Sequence, residues 1–321
     1  MKCGYDMGKV TIIGAGMVGA TACYALMMGH VVSEVALIDI DEERVEGEVM
    51  DLNHGVSFAP HIRIKVGDYS DCAHSNIIII AAGAAQKPGQ TRLDLVVENT
   101  RIFKEIIPRI TSYTRDAILL IVTNPVDILT YVALKISGLP AGQVIGSGTV
   151  LDSSRFRYLI SQHCKVNVRN VHGYIIGEHG DSEVAVWSLA NIAGTRMDDF
   201  CPLCGSRCEE GYKDRISKQV RDSAYHIIDA KGSTYYAVGL AIRRIVESII
   251  MDENSILTVS TLMEGYYGVE DVCLSLPCIM NRKGVEKVLN LPLAPKEIEE
   301  FRDSAQKLKA IIKNISKSLP T

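Results

Sequence analysis

The sequence predicts an α/β fold: a doubly wound parallel sheet in residues 1–147, then a C-terminal α+β domain in residues 148–321. Three observations carry this expectation. Short β-branched runs alternate with helical patterns through the first half, the order that builds a parallel sheet covered by helices. The first run feeds straight into Gly14-Ala15-Gly16-Met17-Val18-Gly19. The second half changes character, with amphipathic helices flanking two long strand-like segments. A length of 321 residues suits two domains, and 47% hydrophobic with 22% charged residues suits a sizeable buried core.

Lys9 to Ile13 is the first strand, and an apolar helix runs from the glycine loop to about Met28, stopped by Gly29. Between a strand and a helix, GxGxxG is a dinucleotide fingerprint rather than a chance glycine turn. Gly14 allows the tight turn, Gly16 lets backbone approach a pyrophosphate, and Gly19 lets helix and strand pack closely. The pyrophosphate then sits on free N–H groups at the helix start, Met17 and Val18 among them. Val35 to Ile38 is the second strand and ends in Asp39, 20 residues after Gly19. A carboxylate there accepts from both ribose hydroxyls and repels a 2′-phosphate, which points to NAD rather than NADP. Val45, Val49, Leu52 and Val56 mark the buried stripe of the next helix.

Ile62–Val66, Asn76–Ala81, Ala117–Val122 and Val144–Ile145 continue the strands, with a helix after Pro125. The helix from about Leu93 to Ser112 contains Pro108, which should kink or end it. Before it lies Gly83-Ala84-Ala85-Gln86-Lys87-Pro88-Gly89-Gln90-Thr91-Arg92, a loop suited to hinge over a site at the carboxyl ends of the strands.

Thr149 to Leu159 reads as a helix, with Leu151, Tyr158, Leu159 and Ile160 as its apolar residues. Asp152 and Arg155 lie a turn apart on one face. Arg157 falls about 200° further round at ~100° per residue. Taken alone, Asp152 and Arg155 are an ordinary surface ion pair. Val171 to Ile176 is a strand, and His179 follows it, bracketed by Gly177 and Gly180. A histidine so placed is free to reach a ligand once a partner orients it, and Asp152 is the candidate. Further on, residues 182–193 are strand and turn, and a helix carrying Tyr212, Ile216, Val220, Ala224 and Ile227 ends at Gly232. Ser233-Thr234-Tyr235-Tyr236 opens another helix. Segments 255–263 and 271–280 form an antiparallel pair, and the last helix buries Phe301, Ala305, Leu308 and Ile312.

Composition excludes several function classes. A net charge of −4 argues against nucleic acid and against an acidic membrane surface. The longest apolar run, Ile77 to Ala82, is far too short to span a bilayer, and the N-terminal residues carry no apolar signal region, so a cytoplasmic protein is expected. Nine cysteines, an odd number in a large chain, read as reduced thiols. Cys201, Cys204 and Cys208 resemble half of a metal site, but the nearest following histidine, His226, is 18 residues on. Chance clustering with no bound metal is the expectation, and a zinc or iron–sulfur site is the alternative.

The motifs GAGMVG, AGAAQKPGQTR, VTNPVDILT, GTVLDSSRFR, GEHGDSE and KGSTYYA together resemble the L-lactate dehydrogenase family, within the lactate/malate dehydrogenase group, from about Lys9 to Leu319. The resemblance implies NAD-dependent interconversion of pyruvate and L-lactate in glycolysis and fermentation. It implies His179 as acid/base, Asp152 as its orienting partner and Arg155 as the anchor for the substrate carboxylate. Arg92 would polarise the substrate carbonyl, Asn124 would wall the site beside cofactor and substrate, and Thr234 would line it. Gln86 would read the far end of the substrate, where malate enzymes usually carry arginine. A neutral amide favours pyruvate over a dicarboxylate, while malate or another L-2-hydroxy acid is the alternative substrate. Gly14, Gly16, Met17, Val18, Gly19 and Asp39 would hold the NAD. Bacterial members activated by fructose 1,6-bisphosphate carry an arginine and a histidine at the positions of Arg157 and His172, which implies that effector and a homotetramer.

Overall fold

The computed structural model describes residues 7–84, 92–203 and 210–316. The side chains of Arg92 and Ser316 lie outside that description, as do all of residues 85–91 and 204–209. In chain order the first half runs β1 (Lys9–Ile13), α1 (Met17–Gly29), β2 (Glu34–Ile38), α2 (Glu42–Gly55), β3 (Arg63–Val66), β4 (Ile77–Ile80), α3 (Arg92–Thr111), β5 (Ile118–Ile121), α4 (Val126–Ser137) and β6 (Val144–Gly146). These strands are all parallel, in the order β3-β2-β1-β4-β5-β6. β4 is four isoleucines with no exposed surface, as a central strand covered on both faces requires.

The second half runs α5 (Val150–Cys164), β7 (Val171–His172), β8 (Ile175–Gly177), β9 (Glu183–Ala185), β10 (Asn191–Ile192), β11 (Thr195–Arg196), α6 (Met197–Phe200), α7 (Tyr212–Lys231), α8 (Tyr236–Ile250), β12 (Ser255–Tyr266), β13 (Val269–Asn281), β14 (Gly284–Val288) and α9 (Pro295–Ser316). The expected antiparallel pair is β12 and β13, and it joins the parallel sheet rather than standing apart, through Ser260 opposite Gly146. Sheet order then continues β12-β13-β8-β9, with β14 also on β13. A second apolar core, around Phe156, Ile160, Val171, Ile175, Ile216 and Val220, lies between α5, α7 and the small β7-β10-β11 sheet.

Several expectations need correction. α3 runs three residues past Pro108, so the proline does not end it on the spot: in the last turn it removes one N–H bond and crowds one carbonyl, and the helix stops close to the expected end. Val56 falls in a short 3₁₀ turn after α2 and is only half-buried. Val171–Ile176 is not one strand: Gly173-Tyr174 breaks it, sending β7 and β8 to different sheets. On α5 the buried stripe runs through Asp152, Phe156, Ile160 and Cys164, one every four residues, with Ser153 and Ser161 beside it, and Tyr158 faces solvent. β14 is not expected from the sequence pattern.

Two devices fix the helices that border the cleft. The start of α5 is held by buried hydroxyls: the Thr149 N–H donates to the Thr258 carbonyl at 3.0 Å and the Thr149 hydroxyl to the Ile175 carbonyl at 2.5 Å. The Ser153 hydroxyl accepts from the Ile175 N–H at 2.9 Å and pairs with the Thr258 hydroxyl at 3.0 Å. The other device joins α1 to α8, where a Cβ on Gly239 would meet Thr21 at 2.9 Å. No described helix is long and apolar enough to cross a membrane.

Candidate active site and dinucleotide cradle

The glycine loop follows β1 with the geometry a dinucleotide needs. Gly14 has φ +107°, and a Cβ there would lie 2.5 Å from the Ala82 N. A Cβ on Gly19 would overlap the Gly14 carbonyl oxygen at 1.8 Å, so only glycine lets α1 start this close to the strand. A Cβ on Gly16 would meet nothing within 4 Å: the backbone here faces open space. The Gly16 side of α1 has no side-chain cap, which leaves its first N–H groups to an anion. Asp39 at the end of β2 accepts from the Ala15 N–H at 2.6 Å and the Asp41 N–H at 3.0 Å. Those two bonds fix the loop, and a carboxylate has about four acceptor positions, so capacity remains for ribose hydroxyls. The cradle fits a dinucleotide.

A cleft opens beside this cradle. One hollow is lined by Val18, Asn124, Arg155, His179 and Thr234, among others. An adjoining one shares Asn124, Arg155 and His179 and adds Asp152, Glu183 and Arg221. Residues from the carboxyl end of the parallel sheet, from α5 and from the β8–β9 turn thus converge, although 55 residues separate Asn124 from His179.

Asp152 is the centre of the cluster. It is 2% exposed, its Oδ2 lies 2.5 Å from His179 Nδ1, and its Oδ1 accepts from Arg155 Nη1 at 2.8 Å. The two residues on α5 are therefore a buried pair, not a surface one. Burial works against the charge on Asp152, but the His179 and Arg155 charges outweigh it and hold the carboxyl below its usual range. For His179, burial disfavours the imidazolium, yet Asp152 overcomes this and the pKa rises to about 9. With Nδ1 tied to a carboxylate, Nε2 is the ring nitrogen left to exchange a proton.

Two carboxylates here are not singled out by the sequence motifs alone. Asp127 on α4, 2% exposed, accepts the backbone N–H of His179 at 2.7 Å, and burial pushes its pKa up to about 6. Glu183, 7% exposed, has its pKa pushed up to about 8 by burial and then by the charge of Asp152. The available signal was an acid inside the apolar run Val126–Leu134, and one inside the GEHGDSE motif.

Other expected residues lie elsewhere. Gln86 and the Arg92 side chain fall outside the described residues; Arg92 is the first residue of α3. Arg157 is half-buried rather than free in solvent. Its Nε donates to the Ser153 carbonyl at 3.2 Å, and burial lowers its pKa. His172 on β7 is exposed, and neither it nor Arg157 lines the cleft.

Residues 8–146 match the model of the lactate/malate dehydrogenase NAD-binding domain, and residues 149–319 match that of the lactate/malate dehydrogenase alpha/beta C-terminal domain. The chain is 58% identical to an L-lactate dehydrogenase of Acetivibrio thermocellus, over 96% of this chain and 97% of that protein. It is 56% identical to one of Thermoanaerobacter pseudethanolicus, over 96% and 99%. The crystal structure of a minor L-lactate dehydrogenase from Enterococcus mundtii in a ligand-bound form superposes with a TM-score of 0.93 at 40% identity, covering 97% of this chain and 99% of that one. With both halves matched and the dinucleotide cradle intact, the chain belongs to the lactate/malate dehydrogenase family of NAD-dependent oxidoreductases.

Proposed function

We propose that this protein is an L-lactate dehydrogenase that interconverts pyruvate and L-lactate, serving fermentation in the cytoplasm. The observation that carries the reading is the buried Asp152 carboxylate shared by His179 and Arg155 in a cleft beside the cradle. The names of the relatives support the choice of substrate. Gly14, Gly16, Met17, Val18, Gly19, Asp39 and Asn124 would hold the cofactor, which when bound supplies or accepts the hydride. The chain's own residues do the rest. Protonated His179 gives its Nε2 proton to the carbonyl oxygen in reduction and takes it back in oxidation, a transfer worth ~10²–10⁴-fold. Asp152 selects the tautomer and stabilises the imidazolium. Arg155 spends one N–H on Asp152, and its remaining donors offer a planar fork to the substrate carboxylate.

Arg92 is assigned to the carbonyl oxygen, Gln86 to the far end of the substrate and Thr234 to the wall, with residues 1–147 as cofactor domain and 148–321 as substrate domain. The decisive assay follows NADH oxidation with pyruvate, oxaloacetate and branched 2-keto acids. Pyruvate should exceed oxaloacetate by ~10²-fold or more in kcat/KM, the weight of an unpaired buried charge. Gln86→Arg should narrow that gap. A wild-type preference for oxaloacetate would refute the assignment.

A further inference from the structure

The cysteine run of the second half acquires partners that its spacing does not reveal. Cys201 follows α6, and the structure brings it against His163 and Cys164 at the end of α5. One ring nitrogen of His163 and the two sulfurs all lie within 4.8 Å of one another. Cys164 is 3% and Cys201 6% exposed, at the edge of the second apolar core.

Buried cysteines alone are ordinary core residues. A histidine edge turned onto two thiols is not what apolar packing selects. The set is the soft nitrogen-and-sulfur donor type that favours zinc over hard cations. Zinc–ligand bonds of about 2.0–2.3 Å put tetrahedral donors roughly 3.5–4 Å apart, so an ion needs the widest pair to close by about 1.3 Å at most. Charge also balances, since each thiol loses a proton on binding and two thiolates with a neutral imidazole neutralise a divalent ion near an apolar core. The carbonyl end of α5 adds a favourable dipole.

Tyr212, the first residue of α7, supports the donors. Its ring stacks on His163 with centroids 4.8 Å apart and planes 5° from parallel, which fixes the imidazole. Its hydroxyl lies 3.4 Å from Cys201 Sγ and can donate to the sulfur once that is a thiolate. Cys204 stands three residues beyond Cys201, outside the described residues.

We propose that His163, Cys164 and Cys201 bind one zinc ion, with water or another donor in the fourth position. The ion clamps the end of α5 to the segment that leads into α7. α5 carries Asp152 and Arg155, so the ion would brace one end of a helix that shapes the active site, and Tyr212 at the start of α7 packs on two of its ligands.

The test uses untagged full-length protein, purified with a thiol reductant and no chelator, and elemental mass spectrometry. Wild type should carry about one zinc per chain, and Cys164→Ser, Cys201→Ser and His163→Gln each less than about a tenth of that. Circular dichroism separates loss of metal from loss of fold, and His163→Gln, only half-buried, guards against collapse of the core variants. Cobalt(II) added to metal-free protein should give thiolate charge-transfer absorption in wild type and none in folded Cys201→Ser. A chelator should lower the Tm of wild type and leave Cys201→Ser unchanged. Wild type that retains no zinc after incubation and desalting, or folded variants that keep a full equivalent, would overturn the site.

Discussion

His179 is gripped by two carboxylates, Asp152 on its ring and Asp127 on its backbone N–H, with Glu183 close enough to feel the same charges. Because the His179 pKa is raised to about 9, the proton that the proposed reduction would draw on is in place below that pH and is lost as pH climbs through it. The kcat/KM for pyruvate should therefore hold through neutrality and fall above about pH 9. His179→Asn should lower turnover ~10²–10⁴-fold while NADH still binds. Glu183 refines that profile. The charged groups around it are Asp152, His179, Arg221 and Arg155. Above about pH 8 it gains a negative charge that helps His179 keep its proton. Glu183→Gln should thus move the alkaline limb to lower pH, read from kcat/KM for pyruvate at closely spaced pH values. An unmoved limb removes Glu183 from this role. At this scale the sequence marked His179, Asp152 and Arg155 through their motifs. Asp127 stayed hidden because a charge inside an apolar helix carries no sign of the group it faces.

At the scale of elements, periodicity located most strands and helices, since burial on one face imposes its period on the residues. It failed where partners decide. Nothing local tells that β7 and β8 part company after Gly173, or that the buried side of α5 carries Asp152 and Ser153 beside Phe156. The glycine loop is the opposite case, where the residues themselves announce the turn. Gly19→Ala places a methyl on the Gly14 carbonyl, so strand and helix must separate. A loss of about 2–4 kcal/mol and of NADH affinity is expected. Thermal melting with and without NADH would measure both, and wild-type values for each would show that the loop can relax.

For the whole molecule, a response to fructose 1,6-bisphosphate would belong to an assembly. Arg157 and His172 lie on α5 and β7, away from the cleft. In a homotetramer of the kind the resemblance implies, two such pairs across a twofold axis would hold one bisphosphate. Pinning Arg157 would bias the helix that also carries Asp152 and Arg155. Fructose 1,6-bisphosphate at millimolar level should lower the pyruvate concentration for half-maximal rate. Arg157→Gln with His172→Ala should abolish the effect, and sedimentation should report four chains. Superimposable wild-type curves with and without effector would end the idea. The sequence foretold two halves but not the sheet that runs through both, because a single pairing, Ser260 with Gly146, makes the join. Beside that join, hydroxyls and backbone amides supply the hydrogen bonds described at the start of α5. Serine and threonine do not titrate in the working range. The mount beneath Asp152 and Arg155 is therefore indifferent to the proton that His179 is proposed to give and take, and one geometry would serve both directions of the proposed reaction.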